Sequence, residues 1–105
     1  MEVDNHFFKN VSEWLFQTFG KYDFVTEVYL IGSILNNFKI NDVDIVQYVN
    51  LESTEYLKEY AEELKLIKVD FLHTFNIELH ITSFTKKESS DFTKFMSKND
   101  FKKLI

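Results

Sequence analysis

The chain has no cysteine and no proline, and only two glycines among 105 residues. Without thiols it can form neither disulfides nor thiolate metal sites, which fits a reducing compartment, and a cytoplasmic location is expected. With Gly20 and Gly32 as the only glycines, few positions break an element, so long elements and tight connections are expected. No stretch approaches the ~18 apolar residues of a membrane span, so no membrane partner is expected. The start, Met1-Glu-Val-Asp-Asn-His-Phe-Phe8, has neither a basic segment nor a long apolar run, so no signal peptide is predicted. Positive charge is also scarce: 12 basic residues face 17 acidic ones, for a net charge of −5. A surface for duplex DNA would be basic, so duplex DNA is not an expected partner. What the chain has in abundance is phenylalanine, twelve in all, and aromatic packing should dominate its core. Its length suits one domain, residues 1–105.

The hydrophobic pattern divides the chain into helices and strands. Phe7, Phe8, Val11, Trp14, Leu15 and Phe19 recur at helical spacing, with Asp4 as N-cap and Gly20 as stop, so a helix is predicted over 5–19. Its Trp14 and Phe19 are expected to be buried against the sheet. Residues 25–31 read as a strand entering Gly32-Ser33, and residues 33–38 as a short helix or a loop. Over residues 42–49, Val43 and Ile45 fall on one strand face and Asp42 and Asp44 on the other. Ser53 or Thr54 caps a helix carrying Leu57, Tyr60, Ala61, Leu64, Ile67 and Phe71 to about residue 74; a strand at 66–72 is the alternative. Residues 76–83 alternate, with Ile77, Leu79 and Ile81 facing the core and Glu78, His80 and Thr82 facing away. Thr85-Lys-Lys-Glu88 has the form of a capping box before a last helix with Phe92, Phe95 and Met96. The tail from Asn99 reads as a helical turn or an edge strand. About ten residues join the first two strands, too few for a full crossover, which favours antiparallel pairing. The expected class is α+β, a small mixed sheet of three to four strands packed by helices.

Three acids and a turn carry the chemistry. Asp42 and Asp44, two apart on a strand, point the same way with Cα atoms about 6.5 Å apart. Magnesium takes oxygen ligands and commonly uses one or two carboxylates together with substrate phosphates. A bare Asp-x-Asp is most often a solvated strand face, but here a Gly-Ser turn follows an apolar strand. Glycine permits close backbone approach, and amides and a hydroxyl at such a turn can receive phosphate. Glu78 adds a third carboxylate on a later alternating segment. His80 shares its face and reads as a partly exposed sheet histidine in preference to a metal ligand or proton shuttle. His6 and His73 have no partner visible in the sequence.

Leu30-Ile-Gly-Ser33, eight residues, then Asp42-Val-Asp-Ile-Val46 resembles the signature of the minimal nucleotidyltransferases, small members of the DNA polymerase β-like superfamily. Ile77-Glu-Leu-His-Ile81 resembles the strand that carries their third acid. The resemblance spans residues 25–84 and implies a nucleotidyltransferase-like fold. It also implies transfer of a nucleoside monophosphate from an NTP, ATP by analogy, to a hydroxyl. It gives Asp42, Asp44 and Glu78 as catalytic residues and ligands of Mg²⁺ (or Mn²⁺), and Gly32 and Ser33 as holders of the β- and γ-phosphates. In the family the Gly-Ser pair is commonly followed by small residues and Arg. Here Ile34-Leu-Asn-Asn37 follows, and Lys39, the only cation of the loop, is left to meet the triphosphate. An acidic balance suits such an enzyme, because metal ions screen the triphosphate locally. So short a chain has little room to present an acceptor. The resemblance therefore extends to antitoxin halves of toxin–antitoxin pairs, with an all-helical partner protein as acceptor. The alternatives are a non-catalytic module of the same fold that binds a partner protein, and an unrelated α+β domain carrying the motif by coincidence.

Overall fold

The computed structural model describes residues 2–36, 39–51 and 54–105. Helix α1 (Asn5–Phe19) begins where Asp4, in extended conformation, accepts a hydrogen bond from the Phe7 amide at 2.7 Å. That bond satisfies one of the donors a helix start leaves without a partner. Strand β1 (Val25–Ile31) leads directly into a 3₁₀ turn, Gly32–Leu35, the helical form of the two options for this stretch. Residues 37 and 38 of that stretch lie outside the described residues. Strand β2 (Asp42–Val49) is followed by helix α2 (Thr54–Phe75), so the helical reading of residues 66–72 holds. Of its two candidate caps, Ser53 lies outside the described residues and Thr54 is the first residue of the helix. Strand β3 (Glu78–Thr85) ends in the capping box: Glu88 accepts from the Thr85 amide at 3.0 Å and introduces a turn that leads into helix α3 (Ser89–Ser97). The tail resolves to a short edge strand, β4 (Phe101–Lys103).

The four strands form one mixed sheet in the order β3-β2-β1-β4. The short connection makes β1 and β2 antiparallel. β2 and β3 run parallel, with α2 as the crossover. On one face, Val11, Leu15 and Phe19 of α1 and Tyr60, Ile67 and Phe71 of α2 pack on Val28, Leu30, Val43, Ile45 and Leu79. The other face carries a smaller cluster, Tyr29, Ile31 and Val46, covered by Phe84 and by Phe92, Phe95 and Met96 of α3. Ile45, Val46 and Gln47 are therefore all buried, and the alternation seen from Asp42 to Ile45 gives out where helices cover both faces. The buried Gln47 amide is matched at both ends: its Nε2 donates to Ser83 Oγ at 2.8 Å, and its Oε1 accepts from the Tyr60 hydroxyl at 2.5 Å. Burying it so carries no unpaired polar group.

Two packing details differ from the sequence pattern. Ala61 is exposed, because the buried stripe of α2 centres on Tyr60, Ile67 and Phe71 and places residue 61 about 100° to one side. Trp14 is half-buried and packs on α2 instead of the sheet, its ring edge-on to Phe71 at 5.3 Å and Phe75 at 6.1 Å. Phe7 joins the same seam at 6.0 Å from Phe75, so α1 and α2 are held together by aromatic edges.

Phe71 is fully buried at the junction of this seam with the sheet. Phe71→Ala is expected to cost about 3–5 kcal/mol, and Trp14→Ala less, because solvent already reaches that ring. Urea unfolding of the two variants measures both; a larger loss for Trp14→Ala would place the energetic centre outside the core.

Candidate functional site

The parallel pairing of β2 and β3 sets Asp42 opposite Glu78 and Asp44 opposite His80. Side chains two apart on a strand share a face, so all four stand on the face that α3 covers further along, at Val46 and Phe84. At this end the face is open. The Asp42 and Asp44 side chains keep 33% and 32% of their exposure, His80 53% and Glu78 70%.

His80 lies among the three acids. Its Nδ1 is 3.4 Å from Asp44 Oδ1 and 3.7 Å from Asp42 Oδ2, and its Nε2 is 3.3 Å from Glu78 Oε2. Asp42, Asp44 and His80 each offer a ligand atom within 4.8 Å of the others, and they are the group among the described residues that could hold a metal ion. Glu78, the third carboxylate of the sequence reading, shares the face but stands beyond the imidazole, against its far nitrogen. Reasoning from sequence passed over His80, because strand register, and not strand pattern, puts it opposite Asp44.

Burial holds the Asp44 carboxyl above the usual carboxylate range. The charge of Asp42 and a hydrogen bond between the two carboxyl groups push the same way, while His80 pulls back.

Gly32 bounds the site from β1. Ile31, the last residue of β1, pairs with Asp44, so the turn begins beside that carboxylate. Gly32 has φ +78, in the left-handed region, and a Cβ added there would come within 2.9 Å of Asp44 Oδ2. The backbone conformation favours glycine, because it strains an L side chain, and a Cβ there would have to displace the Asp44 carboxylate. Ser33 follows, half-buried, in the 3₁₀ turn. Lys39 is exposed on the loop entering β2, where its backbone bridges to Glu2.

A surface cleft of about 320 Å³ opens beside Glu78 and His80, which line it with Lys68, Val69, Leu72 and Leu79; Asp42 and Asp44 are not part of its lining. A larger groove between α1 and α2, about 510 Å³, includes Trp14, Tyr22, Glu63 and Asp70 and lies apart from the cluster. The smaller cleft is the one that shares Glu78 and His80 with the acid cluster. Paired carboxylates, an imidazole and a bare glycine backbone together can bind a cation, approach an anion closely and exchange protons. No helix of the described residues is long and apolar enough to cross a membrane. No family model, curated protein or solved structure matches the chain.

Two variants test this geometry. Gly32→Ala should destabilise by about 1–2 kcal/mol from the backbone conformation alone, with further loss from the displaced Asp44. Asp44→Asn should do the reverse. Folding raises the Asp44 pKa, so the ionised group costs stability at neutral pH. That cost disappears as pH falls from the raised value through the ordinary aspartate range, about pH 4. In metal-free buffer the variant should melt above wild type at pH 7, and the gap should close on acidification. A gap that widens in acid would contradict the stated cause.

Proposed function

We propose that this chain transfers a nucleoside monophosphate from an NTP, ATP by analogy with the family it resembles, to a hydroxyl acceptor, using a divalent cation held at Asp42 and Asp44. The observation that carries the reading is the position of the Asp44 carboxylate, between Asp42 on its own strand and the bare backbone of Gly32 on the next. A carboxylate pair that adjoins a glycine turn suits a ligand combining a cation with phosphate.

The donor set fits a divalent cation. Neighbouring ligands on an octahedral ion with bonds of about 2.1 Å stand about 3 Å apart, and His80 Nδ1 is 3.4 and 3.7 Å from the two Asp oxygens. Asp42 and Asp44 would hold the cation, whose positive charge would offset the charge that builds on a leaving pyrophosphate. The protein's own groups have separate tasks. Asp42 and Asp44 supply negative charge to hold the cation. Gly32 lets a triphosphate reach the turn backbone, and the Ser33 hydroxyl donates to a phosphate oxygen. Lys39 adds positive charge on the adjoining loop. Glu78, the most exposed of the acids, lines the cleft and accepts the proton of an acceptor hydroxyl.

Leu66, Val69 and Leu72 of α2 are exposed, and two of them line the same cleft. An apolar rim there suits an acceptor carried on a partner protein, all-helical by the same analogy. It equally favours the second reading, a non-catalytic module that docks a partner through α2.

Labelled ATP, a divalent cation and candidate acceptor proteins test the choice. Transfer should be lost at least about a hundredfold in Asp42→Asn and in Asp44→Asn with the fold intact. With the cation already bound, an NTP at a hundred times its Kd should stabilise wild type by about a further 2.7 kcal/mol. No label transfer and no stabilisation by any NTP would leave the binding module as the function.

A further inference from the structure

We propose that His80 is a ligand of the cation at Asp42 and Asp44, oriented by Glu78, and that it tilts the site toward Mn²⁺ over Mg²⁺. The inference rests on the cation-binding reading above and assigns the third position to a residue outside the carboxylate set.

The two ring nitrogens face different surroundings. Nε2 points to Glu78 Oε2 at 3.3 Å, and Nδ1 points to the Asp pair at 3.4 and 3.7 Å. A neutral imidazole carries one N–H and one lone pair, and the bond made by one nitrogen fixes which is which. Glu78 is an acceptor, so a cation taking the Nδ1 lone pair between Asp42 and Asp44 would leave the ring proton on Nε2, where Glu78 accepts it. A carboxylate that accepts from the far N–H of an imidazole is the usual support of a metal-bound histidine. Glu78 stands in that place, on the strand that carries His80 and two residues before it. Its separation from the Asp pair then follows from its task, which is to orient the imidazole while its other oxygen remains available to the cleft.

This donor set has a consequence for metal choice. Mg²⁺ prefers oxygen donors and gives up water reluctantly, whereas first-row transition ions accept imidazole nitrogen. Between these two ions, the imidazole therefore favours Mn²⁺, the first-row transition ion.

The test uses the full chain with Mn²⁺ or Mg²⁺ alone and no nucleotide. Calorimetry should give Mn²⁺ binding at least about tenfold tighter than Mg²⁺ binding. His80→Ala should weaken Mn²⁺ at least about tenfold and change Mg²⁺ by no more than about twofold. Glu78→Ala, which leaves the ligands in place, should weaken Mn²⁺ about tenfold, the low end of what losing such a support costs. Electron spin-echo modulation of bound Mn²⁺ should show nitrogen coupling in wild type and none in His80→Ala. Mn²⁺ that binds in an Asp44-dependent way without nitrogen coupling, and with an unchanged metal ratio in His80→Ala, would overturn this inference and leave the cation site standing. Wild type that binds neither cation would remove the cation site and this inference together.

Discussion

Asp42 and Asp44 stand side by side on one sheet face, and two like charges held that close repel. The geometry leaves them no escape. β2 is paired on both sides, with β1 and with β3, so its backbone cannot turn one carboxylate away. Gly32 packs its bare backbone against Asp44, and burial there raises the carboxyl's proton affinity. A globular protein gains no stability from this arrangement. By contrast, the buried Gln47 has both ends of its amide bonded. A destabilising acid pair beside a glycine in the left-handed region is the ground on which a ligand site is proposed there.

The fold explains how that place stays open. α1 and α2 cover one face of the sheet along an aromatic seam and supply most of the core. α3 covers the other face at Tyr29, Val46 and Phe84, through Phe92, Phe95 and Met96. The first residues of β2 and β3 therefore present one face to solvent while their opposite face, at Val43 and Leu79, is anchored in the core. The site is built on paired strands, which hold side chains more rigidly than a loop would. Val69 and Leu72 of α2 line the neighbouring cleft together with Glu78 and His80.

Much of this was legible in the sequence where one physical rule acted alone. The span of α1, its Asp4 cap, the limits of β1 and β2 and the Thr85–Glu88 capping box all follow from period and capping chemistry. The Asp-x-Asp face and the glycine turn were legible for the same reason. What escaped required tertiary context. The covering of both faces of β2 hid the alternation at Val46 and Gln47. The tail became a strand because β1 offered it a free edge. Trp14 turned to α2 because Phe71 and Phe75 offered ring edges. Above all, the register that sets His80 opposite Asp44 depends on how α2 crosses from β2 to β3, which no local pattern encodes.

The central claim is that the open end of the sheet is a joint site for a divalent cation and a triphosphate. Its most direct measurement is a crystal structure of the full chain with Mn²⁺ and a non-hydrolysable ATP analogue. The account predicts the cation between Asp42 and Asp44 and the phosphates along the Gly32–Ser33 backbone. Nucleotide seated elsewhere, with the carboxylate pair bare at saturating cation, would contradict it.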